Sequence, residues 1–237
     1  MLQFIGCGSA FNTELGNNGA FIKAQGVLLL IDCGSSTFGR LKQSRMLEDV
    51  RRIEVLVTHT HPDHIGSLGD LIFYSYYMLG VNVNVYASPF IGLPSVLERM
   101  GVDSNKYTMN TLFEYDDYAS QDSRFDISFR IVEVKHVPDL LCYGYLIKYK
   151  GKTIYFSGDS CEIPEYILEM LDKGEIDLFY QDTCAAEYEG NVHMSLAKLS
   201  RDVHPRNRDK VWCMHLDEGL TEELVTDLGF NTVKPVI

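Results

Sequence analysis

The chain lacks the features that mark membrane proteins and disulfide-rich secreted proteins. No stretch approaches the ~20 consecutive apolar residues of a membrane span, and the first residues have no basic region followed by an apolar core. The six cysteines form no CxxC pair, so a disulfide scaffold is not expected. We therefore expect a cytoplasmic protein with reduced thiols and no membrane contact.

Positive charge is also scarce. Lys and Arg number 21 against 33 Asp and Glu, which gives a net charge of -12. Nonspecific affinity for nucleic acids comes mainly from Lys and Arg, so this balance disfavours a long RNA or DNA substrate. A local basic patch is still compatible with these totals.

Linkers, low-complexity tracts and internal repeats are absent as well. A chain of 237 residues is long enough to bury roughly 70% of its unfolded surface, and we expect a single domain over residues 1–237. Strand-like segments dominate each half, with helical segments between them, which predicts two sheets packed between helices. Residues 106–121 are the least periodic; we interpret them as a long surface connection, with a lid or a dimer contact as alternatives.

A dense group of potential metal ligands directly follows the apolar run at residues 53–57. In the stretch VTHTHPDHIG, four such residues lie within six positions. If the backbone is extended at His59 and His61, side chains two apart project to the same side and can converge on one ion. The side chains of Asp63 and His64 would then point away from that ion, close to the start of a helix. The stretch predicts that one loop supplies ligands to two adjacent metal ions. The alternative is that it forms an exposed polar turn.

Three later strand ends carry further ligand types: His136, Asp159 and His215. Taken singly, each has an ordinary explanation as a hydrogen-bonded polar residue or a turn. Together with the HxHxDH stretch, their order resembles the pattern of the metallo-β-lactamase superfamily. The resemblance covers almost the whole chain, including the glycine-rich turn at residues 6–9 and the segment 31–34.

This resemblance implies an α+β fold, a four-layer αββα sandwich in which two mixed β-sheets are flanked by helices, with a dinuclear zinc site. By motif position, His59, His61 and His136 would hold one ion, Asp63, His64 and His215 the other, and Asp159 would bridge both. Nitrogen and carboxylate ligands suit Zn²⁺, and Mn²⁺ or Fe²⁺ also fit. Position 61 is His rather than Glu, which removes the diiron oxidoreductase version of the motif.

The expected charges of this site favour hydrolysis of an anion. Two carboxylates do not neutralise two Zn²⁺ ions, so the pocket would be positive within an acidic protein. A water between two metals loses a proton near neutral pH, and the ions stabilise charge on a phosphoryl group. Asp63, as a ligand, would be part of this catalytic machinery.

The sequence around the later motifs is similar to that of transfer-RNA 3′-processing endonucleases of the ribonuclease Z kind and of related phosphodiesterases. The similarity covers HVPDLLCYGY and KGKTIYFSGDS, and the pairing of Asp182-Thr183 with His193-Met194-Ser195. It implies that His193 protonates the leaving oxygen and that Asp182 orients it; a structural cap is the alternative for His193. His204 carries no motif and is expected at the surface.

One departure from the RNA-processing enzymes points to the substrate. Those enzymes carry a protruding basic arm between the third-motif histidine and the bridging aspartate, whereas a single hairpin fills the interval between His136 and Asp159. With the acidic composition, this favours a small anionic phosphodiester such as a cyclic nucleotide. The family's small-substrate members include cyclic-nucleotide phosphodiesterases, among them phage-type anti-Pycsar enzymes, and the chain is compatible with them.

Three alternative functions remain open, and so does the oligomeric state. The chain could be a ribonuclease Z-like RNA endonuclease, a thioester or lactam hydrolase, or a non-catalytic metal-containing protein that binds a ligand without turnover. It could also form a homodimer, for which the tyrosine-rich residues 73–78 and residues 106–118 are the candidate contacts.

Overall fold

The computed structural model describes residues 1–120 and 125–236. Contacts within this part of the chain separate two compact units. The first comprises Met1–Phe113 with Ser120, Phe125 and residues 235–236, and the second comprises Glu114–Ala119 and Asp126–Lys234. Each unit is built around its own sheet. The expectation of one domain over residues 1–237 stays a prediction.

The first unit contains a mixed sheet whose strands follow one another in chain order. β1, β2 and β3 pair antiparallel, and β3 to β6 pair parallel. The strands are β1 Gln3–Gly6, β2 Gly19–Ala24, β3 Val27–Ile31, β4 Arg52–Leu56, β5 Val83–Ala87 and β6 Tyr107–Thr111. The helices are α1 Thr37–Gln43, α2 Pro62–Ile65, α3 Leu68–Tyr74, which continues into a π-helical turn at Ser75–Leu79, and α4 Leu93–Arg99.

The second unit contains another mixed sheet, ordered from β13 to β7. β7 to β10 pair antiparallel and β10 to β13 pair parallel. The strands are β7 Tyr118–Ala119, β8 Ile127–Val134, β9 Cys142–Tyr149, β10 Lys152–Phe156, β11 Leu178–Asp182, β12 Val211–Met214 and β13 Asn231–Thr232. The helices are α5 Glu165–Asp172, α6 Leu196–Asp202 and α7 Glu222–Asp227.

Local sequence explains the two tight hairpins. The turns Gln25-Gly26 and Lys150-Gly151 both place two consecutive residues at positive φ, which is the two-residue turn whose twist matches antiparallel strands. Each turn contains a glycine at its second position, where a left-handed backbone carries no steric cost. The second of these is the hairpin that the sequence predicted between His136 and Asp159.

Residues 106–121 are more than the surface connection that we expected, because they also contribute strands to both sheets. β6 and β7 lie within them, and residue 121 is outside the described residues. β6 has the sequence YTMNT, whose polar residues are only partly buried, and β7 is two residues long. Neither gives the apolar alternation that identifies a half-buried strand.

The direction of the strands places the candidate ligands. In the first sheet, β3 and β4 are parallel, so their carboxyl ends share one edge. In the second sheet, β8 is antiparallel to β9 and β9 to β10, so β8 runs the same way as β10 and the parallel strands after it. Within each unit, the polar residues that follow these strands therefore converge at one edge.

No helix of the described chain has both the length and the apolar character of a membrane span.

Candidate metal centre

The first unit gathers the ligands of the HxHxDH stretch around the start of α2. His61 precedes the helix as its N-cap, Pro62 is its first residue, and Asp63 lies in its first turn, where a negative charge is favourable. His59 and His64 are fully buried, Asp63 is nearly so, and His61 is half-buried. One short loop thus presents four potential ligands, three of them buried.

A buried carboxylate, Asp32, fixes the orientation of two of these histidines. Asp32 accepts hydrogen bonds from the backbone N–H of Thr58 at 2.8 Å and from its hydroxyl at 2.9 Å. Nδ1 of His64 lies 2.8 Å from the same carboxylate, and Nδ1 of His59 lies 2.9 Å from the Thr58 hydroxyl. Because these oxygens act as acceptors for Nδ1–H, each Nε2 is left with its lone pair, the form that binds a metal.

The ligand atoms of this cluster are close enough to share ions. Nε2 of His59 lies 3.0 Å from Nδ1 of His61, and Nε2 of His64 lies 3.4 Å from Oδ2 of Asp63. Two ligands of one zinc ion cannot be more than about 4.4 Å apart, since each lies at about 2.0–2.2 Å from the metal. Both pairs satisfy this condition.

The segment after β3 holds the histidine loop in place. Cys33 N–H donates to the carbonyl of His64 at 2.7 Å, and the Ser35 hydroxyl donates to the carbonyl of Pro62 at 3.0 Å. A β-carbon at Gly34 would lie only 1.9 Å from the carbonyl oxygen of Asp63. Glycine is therefore required at position 34 by the close approach of the two backbones.

The second unit gathers His136, Asp159 and His215, all buried. Nδ1 of His136 lies 3.0 Å from the carbonyl oxygen of Val192, which can only accept, so Nδ1 carries the proton and Nε2 is the unprotonated nitrogen. Oδ2 of Asp159 lies 3.8 Å from that Nε2 and 3.5 Å from Nε2 of His215. One carboxylate oxygen thus faces the ligand atoms of both histidines.

Asp182 plays in the second unit the role that Asp32 plays in the first. It is fully buried, accepts a hydrogen bond from Ser160 N–H at 2.9 Å, and lies 2.7 Å from Nδ1 of His193. Its other oxygen lies 3.3 Å from Nδ1 of His215. Ligand atoms of Asp159, Asp182, His193 and His215 all lie within 4.8 Å of one another. Because Nδ1 of each ring faces Asp182, the Nε2 atoms of His193 and His215 are directed away from it.

Two titratable groups beside the ligands have shifted pKa values. Burial lowers the pKa of His193, but the Asp182 charge and hydrogen bond outweigh it, so the net pKa is raised above the ordinary histidine value. Burial raises the pKa of Asp32, against the opposing influence of His64 and Thr58. A histidine with a raised pKa retains its proton over more of the neutral range, which suits a proton donor.

Asp32 and His215 also share an uncommon backbone geometry. Their φ angles are +65° and +57°, in the left-handed region that non-glycine residues seldom adopt. Such conformations persist where surrounding contacts enforce them and concentrate at functional positions. Both residues directly follow parallel strands, β3 and β12, at the edges that carry the ligands.

The structure brings together, within each unit, the residues that the sequence singled out there. Six of the seven histidines lie in the two clusters; the remaining one, His204, is exposed as expected. Sequence reasoning did not assign roles to Asp32, Thr58 or Val192. Asp32 had a detectable signal, since it is a charged residue at the end of the fully apolar run VLLLI.

The cysteines take no part in this chemistry. None of the six forms a disulfide, and five are buried. Burial raises the pKa of Cys7 to about 11 and those of Cys33 and Cys213 to about 12. These three thiols are therefore protonated at neutral pH and are poor nucleophiles.

The chain matches a known protein family. The model of the family "Anti-Pycsar protein Apyc1" matches residues 1–234. A protein of that name from Bacillus phage BSP38 is 27% identical over 249 residues, covering 96% of this chain and 93% of its own.

Solved structures show the same fold. The metallo-β-lactamase fold protein YhfI from Bacillus subtilis superposes with a TM-score of 0.75 at 17% identity, covering 99% of this chain and 95% of its own. A diphosphatase from the PhnP family gives a TM-score of 0.76 at 18% identity, covering 100% and 95%. The predicted α+β metallo-β-lactamase fold, with two mixed sheets and flanking helices, is confirmed.

Proposed function

The chain belongs to the family of the Anti-Pycsar protein Apyc1, and on that premise we propose that it is a metal-dependent phosphodiesterase acting on a small phosphodiester such as a cyclic nucleotide. The observation that carries the proposal is the fixed orientation of the buried histidines. His59, His64, His136 and His215 each have Nδ1 beside an oxygen acceptor, so their Nε2 atoms are prepared to bind cations.

The donor set fits two divalent ions. The proposed ligands are His59, His61 and His136 for one ion, Asp63, His64 and His215 for the other, and Asp159 for both. Imidazole and carboxylate ligands favour Zn²⁺, with Mn²⁺ or Fe²⁺ as substitutes. Bound divalent ions lower the pKa of water to near neutrality and stabilise negative charge on a phosphoryl group.

The protein itself supplies a proton to the leaving group. His193 is only partly exposed, and its Nδ1 is held by Asp182, so its Nε2 is the atom that can donate to the departing oxygen. The Asp182 carboxylate, 2.7 Å from Nδ1, stabilises the protonated imidazole needed for this donation. Asp182 positions both His193 and His215, which ties the proton donor to a proposed metal ligand.

Two features support a small substrate over a folded RNA. The interval between His136 and Asp159 is occupied by β9, β10 and their tight turn, without a protruding arm. The net charge of -12 opposes the many phosphate contacts that long nucleic acids need.

The free thiols suit a reducing compartment, which supports a cytoplasmic location.

A homodimer is part of the proposal. Tyr76, Tyr77 and Met78 on the π-helical turn are all exposed, and apolar surface of this kind is typical of a protein contact. Light scattering of the purified protein tests this directly. A mass of about 27 kDa, that of one chain (26.9 kDa), at micromolar concentration would contradict it.

A substrate panel tests the activity. The metal-loaded protein is assayed with bis-p-nitrophenyl phosphate, 3′,5′-cyclic nucleotides, 2′,3′-cyclic nucleotides and unprocessed transfer RNA. We expect hydrolysis of a cyclic nucleotide, reduced at least about 100-fold in His61→Ala and Asp63→Ala. His204→Ala, at the exposed histidine outside both clusters, is the matched control and should retain activity.

The other outcomes identify the alternatives. Cleavage of the transfer RNA alone would favour a ribonuclease Z-like endonuclease and contradict the small-substrate proposal. Turnover of thioesters or lactams without phosphodiesters would favour that class of hydrolase. Fully metallated protein without any hydrolysis would favour a ligand-binding protein.

A further inference from the structure

The loop between β1 and β2, residues 7–18, presents an aromatic side chain to solvent. Phe11 in this loop is 87% exposed. A single exposed apolar residue is common in soluble proteins, so exposure alone carries no function. The position and the rigidity of the loop are what distinguish Phe11.

The loop lies at the edge of the first sheet that bears the histidine cluster. β1 is antiparallel to β2, and β2 is antiparallel to β3, which is parallel to β4. The carboxyl ends of β1, β3 and β4 therefore share one edge. The Phe11 loop follows β1, Asp32 follows β3, and the HxHxDH stretch follows β4.

The base of the loop is pinned beside the histidine stretch. Asn17 N–H donates to the Ser36 hydroxyl at 2.8 Å, and Ser36 N–H donates to Oδ1 of Asn17 at 2.8 Å. A β-carbon at Gly34 would lie 2.8 Å from Cβ of Asn17 and 1.9 Å from the Asp63 carbonyl oxygen. The loop base and the proposed metal ligands are thus separated by a single glycine.

The tip of the loop forms a hydrogen-bonded turn. Asn12 N–H donates to the Ser9 carbonyl at 3.1 Å, closing a turn with Phe11 as its third residue. The Asn12 side chain is buried, and its Oδ1 accepts from Leu15 N–H at 3.4 Å. An aromatic ring on a preordered turn loses little conformational entropy when it binds a ligand.

We infer that Phe11 is a stacking platform for the base of a cyclic nucleotide whose phosphate binds at the metal centre. The inference rests on the proposed function and names a residue that would contact the substrate outside the metal cluster. Aromatic side chains stack on the π-face of any base, and removal of such a contact weakens binding by roughly 5- to 150-fold.

Kinetics with and without a base test the inference. Phe11→Ala and Phe11→Leu should raise KM for 3′,5′-cyclic AMP by about 5- to 150-fold while kcat changes little. Neither should affect hydrolysis of base-free ribose 3′,5′-cyclic phosphate, and Phe11→Trp should retain the low KM. Phe90→Ala is the control for a second exposed aromatic side chain at the same edge: Phe90 is 69% exposed in the 3-10 turn Pro89–Ile91 that follows β5, and its removal should leave KM unchanged.

Fluorescence supplies a readout that does not depend on turnover. The chain has one Trp, so Phe11→Trp adds a reporter whose signal is compared with the wild type. AMP should quench the added fluorescence, and ribose 5-phosphate should not.

Several results would overturn the stacking role. They are unchanged kinetics in Phe11→Ala, an equal effect on the base-free substrate, a transfer of the effect to Phe90→Ala, or equal quenching by ribose 5-phosphate. Wild-type protein that hydrolyses no cyclic nucleotide overturns the proposed function instead, so the two failures are distinguishable.

Discussion

Two buried carboxylates, Asp32 and Asp182, have equivalent positions in their units. Each lies at the carboxyl end of a parallel strand, β3 or β11. Each accepts a backbone N–H bond and holds Nδ1 of a histidine. They determine which ring nitrogen of their histidines is unprotonated, so the chemistry of the ligands depends on residues that need not touch a metal.

Replacing Asp182 tests this dependence. In Asp182→Asn, the amide N–H₂ would face Nδ1–H groups and force a histidine into the other tautomer. We expect a roughly 10- to 100-fold loss of phosphodiesterase activity or metal affinity. Steady-state kinetics and metal analysis measure the two effects, and Asp202→Asn at an exposed position is the control. Equal behaviour of both variants would contradict the role of Asp182.

Gly34 gives a second residue-scale prediction. Gly34→Ala places a β-carbon within 1.9 Å of the Asp63 carbonyl, so the histidine loop must move. We expect a loss of stability of about 1–3 kcal/mol together with reduced metal binding. Thermal unfolding and metal titration provide the measurements.

The matched control is Gly39→Ala. Gly39 lies inside α1, and a β-carbon there meets nothing within 4 Å. Alanine at a helix interior position is favoured over glycine by about 1 kcal/mol, so this variant should be slightly stabilised. Destabilisation of both variants to the same extent would show that the close approach at Gly34 is not the cause.

Among the elements, the loop between β11 and α6 contacts the proposed ligand His136 and contains the proposed proton donor His193. Asn191 accepts a hydrogen bond from His193 N–H at 3.1 Å, and its Nδ2 donates to the Ala186 carbonyl at 2.9 Å. The next residue, Val192, supplies the carbonyl beside His136. One loop conformation thus orients a proposed ligand and the proposed proton donor.

Asn191→Ala should therefore impair activity more than stability. We expect roughly a 10- to 100-fold fall in kcat/KM with a loss of at most about 1.5 kcal/mol in unfolding free energy. Enzyme kinetics and chemical denaturation give the two numbers. Glu189→Ala, at an exposed position in the same loop, should leave both unchanged. A purely structural role would lower stability without the larger kinetic loss.

The elements also show where sequence reasoning succeeds. The hairpin turns and the HxHxDH stretch were predictable because their determinants are contiguous: a glycine in a turn, or ligands two positions apart. β6 and β7 were missed because their burial depends on neighbouring strands rather than on their own alternation. Asp32 and Val192 act on histidines 32 and 56 positions away in the chain, a contact that only the folded chain displays.

At the scale of the whole molecule, bound metal should contribute to stability. Ions that bind the folded state alone stabilise it by about 2.7 kcal/mol at a hundredfold excess over Kd. For a chain of this length, that corresponds to a rise in Tm of about 5–10 °C. We expect chelation to lower Tm by this amount and added Zn²⁺ to restore it. Calorimetry measures the shift, and an identical Tm with and without chelator would contradict the proposed centre.

The turn at Lys150-Gly151 offers a place to lengthen this protein. A β-carbon at Gly151 would meet nothing within 4 Å, and the turn joins strands that are already paired along their length. An insertion at this tip would extend into solvent without breaking the ladder below it. The interval between His136 and Asp159 could thereby acquire a basic appendage that binds longer anionic polymers.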